Sequence, residues 1–409
     1  MGEPTTEITW TAGELLDQLR RRQKLFVLDV RNREEFERSP LEGAGLSAIN
    51  LPYFEILESG GKDDMVDSVV ACVERDLADR LPQDSPILAV CAKGDTSEYV
   101  MQGLQRLGYD AGSLKGGMKA WGNHYESLAI LDTAGLGIFQ ISRPARGCLS
   151  YMVMADSEAI VIDPLRHLHP YTELARARSC TITSVIDTHS HADHISGGLA
   201  LAAETGASYY LHPYDAIHPM DMLPATFAYE PMKEGQLFRA GQHELRVMHI
   251  PGHTLGLVAL IFDDQYLFTG DSVFIRSIAR PDLGGKAEAW ARLHTHSLRR
   301  ILELPEKITV LPAHFSSLEE GSDTGQFRAT LAELKRSNES LVVLQRESDP
   351  GFVRYLLESL PRFIPEYVEI KRANTGLVSP SEDDAATLEL GKNLCGLATA
   401  LAAAHGESR

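Results

Sequence analysis

Short apolar runs, each closed by a single polar or glycine position, give this chain its texture. Leu25-Phe26-Val27-Leu28 closes at Asp29, and Ile87-Leu88-Ala89-Val90 closes at Cys91. Runs of four bounded by polar residues read as buried strands rather than helices. After the second run Val100, Leu104 and Leu107 recur at helical spacing, until Gly108 ends the periodicity. Strand and helix alternate in this way from Glu7 to about Trp121, with Gly116-Gly117 breaking the chain before Ala120 and Trp121. Such alternation predicts an α/β unit with a parallel sheet covered by helices.

From about Ala134 the rhythm changes, and strands come in quick succession. Ile138–Ile141, Leu149–Met154, Ala159–Ile162 and Ser184–Ile186 are followed by Leu245–Ile250, Gly256–Phe262, Gln265–Thr269 and Thr309–Leu311. Helical stretches are expected at Ile195–Thr205, Lys286–Leu302 and Gly325–Ser337. Two packed sheets flanked by helices fit this pattern. The change of texture divides the chain into residues 1–127, residues 128–376, and a tail of 377–409 that opens with Pro, Ser and acidic residues. The apolar stretch Leu394–Ala404 predicts a docked C-terminal helix.

The densest chemistry is Asp187-Thr188-His189-Ser190-His191-Ala192-Asp193-His194, just after the strand ending at Ile186. Residues two apart in an extended segment face the same side, so His189 and His191 can converge on one ion. Imidazole nitrogen and carboxylate oxygen are the donors that zinc and non-haem iron prefer. His253, Asp271 and His314 each follow a later strand in the same relation, after Pro251-Gly252, Gly270 and Pro312-Ala313. Four strand ends therefore bring ligands to one edge. His167, His169, His212, His218, His294 and His296 have no such partners and read as surface or structural residues.

The set His189 to His314, in this order, resembles the metallo-β-lactamase superfamily over residues 135–376, which implies an αββα sandwich. Hydrolases, thioesterases, nucleases and oxygenases share that fold. Gly270-Asp271-Ser272-Val273-Phe274-Ile275-Arg276 running to Ala279-Arg280-Pro281-Asp282-Leu283, with Pro312-Ala313-His314 and Ala373-Asn374-Thr375-Gly376, resembles its persulfide dioxygenase branch. That resemblance implies one Fe(II) held by His189, His253 and Asp271, with His191, Asp193, His194 and His314 around it or holding a second metal. Spacing alone would make His191 a ligand too. It implies a low-molecular-weight thiol persulfide and O2 as substrates, with Thr254 and Arg280 as candidates for gripping the thiol carrier. Arg280 could instead pair with Asp282. All seven positions of a dinuclear zinc hydrolase are also present, so a glyoxalase-II-like thioester hydrolase is the competing reading.

Cys91 stands at a strand end before Ala92-Lys93-Gly94-Asp95-Thr96-Ser97 and a helix. Backbone N–H groups and a helix N-terminus there would stabilise a thiolate or persulfide. With Asp29-Val30-Arg31, Glu35-Phe36, Asn50-Leu51-Pro52 and Leu114-Lys115-Gly116-Gly117, the stretch 8–123 resembles a rhodanese domain. This implies sulfane-sulfur transfer at Cys91, from or to species such as thiosulfate and sulfite. Thr96 replaces the arginine that usually closes the loop, Asp95 adds an anion, and Lys93 partly compensates. A docking or sensing module is the alternative.

Composition changes this picture little. The 409 residues carry 39 basic and 57 acidic side chains, a formal charge of −18. That charge disfavours nucleic acid and anionic membranes as partners. Five scattered cysteines and a polar, acidic start from Met1 to Trp10 point to a reducing, cytoplasmic setting without disulfides. Cys72, Cys148, Cys180 and Cys395 are expected to be buried and inert. A homodimer is the candidate assembly, because this fold often dimerises.

Overall fold

The computed structural model describes residues 9–60 and 64–397. Residues before Thr9, and the part of the expected C-terminal helix beyond Leu397, lie outside the described residues. The chain divides into two compact units, one made of the residues up to His124 together with Arg143–Arg146 and Leu390–Lys392, the other of Tyr125–Ser142, Gly147–Glu389 and the residues from Asn393.

The first unit is built on β1 (Thr9–Trp10), β2 (Leu25–Asp29), β3 (Leu46–Asn50), β4 (Ile87–Val90) and β5 (Ala111–Leu114). Their order is β1-β5-β4-β2-β3, and every neighbouring pair is parallel. Phe26, Leu28, Ile87 and Ala89 pack with Val69, Cys72, Val100 and Leu104 in one cluster. The alternate residues Val27 and Leu88, equally buried, face the other side of the sheet. The helix Ala12–Arg20 buries Leu15, Leu16 and Leu19, and Thr11 with Glu14 closes its N-terminus in a reciprocal capping box. The motif residues Asp29 and Arg31 form a buried ion pair at 2.6 Å. Asn50 Nδ2 donates to the carbonyls of Asp29 and Arg31 at 2.9 and 2.8 Å, so these motif residues hold the β2–β3 connection.

The second unit contains two sheets. The first comprises β6 (Glu126–Thr133), β7 (Leu136–Arg143), β8 (Cys148–Ala155), β9 (Glu158–Ile162), β10 (Thr181–Ile186), β11 (Ser208–Leu211) and β12 (Glu230–Pro231), laid side by side in sequence order. The second comprises β13 (Leu237–Ala240), β14 (His243–His249), β15 (Val258–Phe262), β16 (Tyr266–Phe268), β17 (Thr309–Leu311) and β18 (Ala329–Thr330), again in order. Tyr151, Val153, Ile160 and Ile186 meet Leu245, Val247, Val258, Leu260 and Phe268 in the core between them. Helices cover the outer faces. Tyr171 and Leu201 pack on the first sheet, and Leu298, Ile301, Leu334, Leu341 and Phe352 on the second. The result is the expected four-layer αββα sandwich.

Direction within the sheets decides where the ligands go. β14 and β16 are both antiparallel to β15, and β17 is parallel to β16, so β14, β16 and β17 end at the same rim. β9 and β10 run parallel, and β8 runs against β9, so Cys148 at the start of β8 lies at the rim where β9 and β10 finish. The ligands thus come from both sheets, not from one edge of a single sheet.

Two expected helices begin later than their patterns suggest. The segment at Ile195 becomes helical only at Gly198. Glu389 Oε1 captures the Ile195 N–H and Asn374 Oδ1 that of Ser196, at 2.9 Å each, which keeps both residues out of the helix. The helix expected from Gly325 starts at Leu331, because Gln140 Oε1 accepts the Phe327 N–H and Thr330 provides the cap. Leu394–Leu397 is not helical; Gly396 bridges to Ala279 instead.

Candidate metal centre

His189, His253 and Asp271 meet at the rim with no exposure to solvent. Asp271 Oδ2 lies 3.6 Å from His189 Nε2 and 3.3 Å from His253 Nε2. None of these three atoms has a hydrogen-bond partner within the protein. Burying three unsatisfied polar atoms side by side costs several kcal/mol in all unless a cation joins them. The opposite side of each group is satisfied. The Nδ1–H of His253 donates to the Arg280 carbonyl at 2.8 Å. Thr188 Oγ1 donates to Asp163 Oδ2 at 2.8 Å and so accepts from His189 Nδ1 at 3.0 Å. Asp271 Oδ1 accepts from His314 Nδ1 at 2.6 Å. Both imidazoles are thereby held as the tautomer whose Nε2 lone pair faces inward.

Electrostatics agree with that assignment. Burial pushes His253 below the ordinary histidine range, and burial followed by His191 pushes His189 well below it. Burial alone would raise the Asp271 carboxyl, but His314 and then His189 hold it well below the usual carboxylate range. Two neutral imidazoles and an ionised carboxylate are the protonation states a divalent metal requires. The donor set fits a 2-His-1-carboxylate iron site as well as a zinc site.

The other expected residues divide. His191 Nε2 lies 3.3 and 3.5 Å from Asp163 Oδ1 and Asp187 Oδ1; neither of its ring nitrogens has a hydrogen-bond partner, and with Asp163 and His189 it makes a further group of donors. His314 lies between two carboxylates, with Nε2 3.0 Å from Asp193 Oδ2. His194 Nδ1 lies 3.2 Å from Asp193 Oδ1. Thr254 and Arg280, the expected carrier-gripping residues, both make contacts within the protein. The Thr254 hydroxyl donates to Asp215 Oδ2 at 2.6 Å. Arg280, with no exposure, is locked to both oxygens of Asp282 and to the carbonyls of Pro361, Arg362 and Leu394. Pairing with Asp282 is the reading the contacts support.

Several residues to which the sequence reading gave no role at the site shape it. Asp215 accepts from the Ser190 N–H, the Gly256 N–H and the Thr254 hydroxyl at 2.9, 2.7 and 2.6 Å, tying the His189 and His253 loops together. Lys371, buried, donates to the Ser190 carbonyl at 2.7 Å. Asn374 Nδ2 donates to the carbonyls of His191 and His194 at 2.9 and 2.8 Å. Cys148 and Cys395 lie beside Asp193 and His314, so they are buried but belong to the centre. An isolated carboxylate or thiol has no spacing signature; only the folded chain shows what it meets.

His294, on the helix Ala287–Leu302, is buried, and neither of its ring nitrogens has a hydrogen-bond partner. Burial, followed by His253, depresses it to about 3 from an ordinary 6.5. Between those values the unfolded chain binds a proton that the native state refuses, so stability rises with pH across this window. Between about pH 6.5 and pH 5 the native state should lose about 2 kcal/mol from this group alone. Urea unfolding of wild type and His294→Gln at both pH values checks this: the acid loss should be smaller in the variant by that amount, and equal slopes would refute it.

In the first unit Cys91 Sγ accepts the Gly94 N–H at 3.0 Å, at the head of the helix Asp95–Arg106. Met118 and Lys119 donate their N–H groups to the carbonyls of Cys91 and Ala92 at 2.9 and 3.0 Å. Gly117, at φ +58°, lies so close that a Cβ there would fall 2.3 Å from the Cys91 carbonyl oxygen. The Gly116-Gly117 pair is therefore the floor of the cysteine loop. Lys93 and Asp95 are exposed on its rim.

Comparison with known proteins agrees with this architecture. Residues 143–344 match the metallo-beta-lactamase superfamily and residues 11–124 the rhodanese-like domain. A hydroxyacylglutathione hydrolase of Methylococcus capsulatus is 33% identical over 216 residues, which is 51% of this chain and 78% of the relative. A solved metallo-beta-lactamase from Staphylococcus aureus superposes with a TM-score of 0.51 at 25% identity, over 60% of this chain and 73% of its own. The ETHE1 structure from Myxococcus xanthus gives 0.48 at 24% identity, over 61% of this chain and 99% of its own.

Proposed function

Because the chain belongs to the metallo-beta-lactamase superfamily and carries a rhodanese-like domain before it, we propose that it oxidises a low-molecular-weight thiol persulfide with O2 at a mononuclear iron. The net reaction is RSSH + O2 + H2O to RSH + sulfite + 2 H⁺. The division of labour follows the sequence: residues 1–127 transfer sulfane sulfur and residues 128–376 oxidise it.

One observation carries this reading: three buried donor atoms without hydrogen-bond partners, His189 Nε2, His253 Nε2 and Asp271 Oδ2, converge on one another, whereas His191 groups with Asp163 and His189 instead. A 2-His-1-carboxylate set leaves open positions for a sulfur ligand and O2. Bound Fe(II) would supply the redox chemistry that no side chain has. The protein's own contribution is orientation. The Arg280 carbonyl and Thr188 fix the two imidazole tautomers, and His314 engages Asp271 Oδ1, leaving Oδ2 as the oxygen that would hold a bound ion. Full burial of the three ligands keeps bulk water from competing for them.

In the first domain the Gly94 N–H, with the helix N-terminus behind it, stabilises negative sulfur at Cys91. Cys91→Ser should bring thiosulfate-to-thiol sulfur transfer down to background, at least about 100-fold, and leave oxygen uptake with an added thiol persulfide unchanged. Transfer equal to wild type in that variant would make the domain a docking module.

The second reading is a dinuclear zinc thioester hydrolase, which the likeness to a hydroxyacylglutathione hydrolase and the neighbouring donors Asp193, His194 and His314 favour. Oxygen-electrode and sulfite assays with thiol persulfides, run beside thioester hydrolysis, separate the two. Hydrolysis without oxygen uptake would overturn the proposal.

A further inference from the structure

The helix Glu366–Asn374 lies against the loop that carries His189, with Tyr367 and Ile370 packed among Ala192, Phe274, Ala279 and Cys395. Lys371, the next residue of this helix, is only 3% exposed. Its Nζ donates to the Ser190 carbonyl at 2.7 Å, and among the described residues no carboxylate pairs with it. The neighbouring guanidinium groups are neutralised, Arg280 by both oxygens of Asp282 and Arg372 by Asp221 and Glu369. An ammonium buried with a carbonyl as its partner is costly, because its charge gives up water without gaining a counter-ion.

The surrounding field offsets that cost. Ser190 is held on both sides, its carbonyl by Lys371 and its N–H by Asp215 Oδ2 at 2.9 Å, so ammonium and carboxylate act on one another across a single residue. Burial pushes the Lys371 ammonium below its ordinary range, and Asp215, Cys395, Asp271 and Asp193 oppose that shift in turn. Asp271 is the carboxylate of the triad, and Ser190 directly follows the ligand candidate His189. The charge of Lys371 therefore bears on any ion the triad holds, through apolar surroundings that screen it little.

We infer that Lys371 sets the oxidation state of the bound metal, raising the reduction potential of iron at His189, His253 and Asp271 so that it stays ferrous. The half-reaction Fe(III) + e⁻ → Fe(II) lowers the charge of the site by one. A fixed cation nearby favours the less positive side of that couple. Lys371 acts through its field and through the Ser190 carbonyl, not as a ligand, which makes it a positioning residue. The inference rests on the iron reading proposed above.

The test is a mediated redox titration of the full-length, iron-loaded protein, with dithionite as reductant and the Fe(III) electron paramagnetic resonance signal as readout. Lys371→Met, neutral and of similar volume, should lower the potential by about 60 mV or more, a ten-fold shift of the Fe(III)/Fe(II) ratio at fixed potential. Asn374→Ala removes the donor to the His191 and His194 carbonyls but changes no charge, so its potential should equal that of wild type. Lys371→Gln, which keeps an N–H donor, carries the test alone if Lys371→Met binds no iron or lacks the wild-type circular dichroism. A wild-type potential in the folded neutral variant, or an equal fall in Asn374→Ala, overturns the inference. Oxygen uptake with a thiol persulfide, measured on the same wild-type protein, keeps the two claims apart. A shifted potential without uptake sinks the persulfide reading alone, and uptake without a shift sinks the inference alone.

Discussion

His253→Ala should abolish oxygen uptake, with iron content falling to near zero, while sulfur transfer at Cys91 continues at the wild-type rate. The imidazole is one of three donors, and the two that remain do not suffice to hold iron in competition with buffer and water. Its removal also frees the Arg280 carbonyl that had fixed its tautomer. The expected loss of turnover is at least about 1,000-fold, equivalent to about 4 kcal/mol of transition-state stabilisation. Iron analysis beside the oxygen electrode measures both quantities. Retained iron with retained activity would mean that the ligand set is wrong. Lost activity with retained iron would instead assign His253 to substrate handling.

Asp215→Ala should be the most damaging substitution outside the ligands themselves. The carboxylate accepts the Ser190 N–H, the Gly256 N–H and the Thr254 hydroxyl. Alanine would leave all three donors buried without acceptors and would remove the anion nearest in effect to buried Lys371, whose pKa burial lowers and Asp215 opposes. At about 1–3 kcal/mol for each orphaned donor, the cost of the three is about 3–9 kcal/mol, a large share of the stability of an ordinary domain. Chemical denaturation should show that loss. Metal affinity in the remaining native fraction should fall by about ten-fold or more, because the His189 and His253 loops are no longer pinned to one another. Asp215→Asn keeps one acceptor and should fall between alanine and wild type. An alanine variant as stable as wild type would show that this staple does not hold the loops.

The sequence carried the frame of this molecule and the centre of its site, for identifiable reasons. Strand runs such as Leu25–Asp29 and Ile87–Val90 are short and closed by polar residues, so their ends could be placed to the residue. The candidate ligands His189, His253 and Asp271, and His314 beside them, each stand just beyond an apolar run, and the directions of β14, β16 and β17 carry His253, Asp271 and His314 to one rim. What could not be read were groups whose partners are remote along the chain. Asp215 meets Gly256, 41 positions away, and Asn374 meets the His191 carbonyl, 183 positions away. The starts of the helices at Gly198 and Leu331 were misplaced for the same reason: side chains from elsewhere take the N–H groups that a helix would otherwise use. Cys148 and Cys395 were expected to be inert because burial alone suggests it. Both are buried, and both lie beside Asp193 and His314.

The Asn374 and Lys371 contacts have a consequence for biosynthesis. Three carbonyls of the ligand loop, those of Ser190, His191 and His194, are held by side chains synthesised some 180 residues later. When every histidine and aspartate of the centre has left the ribosome, the Asp163 and Asp215 contacts to the ligand loop are available but these three carbonyl contacts are not. A nascent protein stalled short of Lys371 should therefore bind metal less tightly than the full chain.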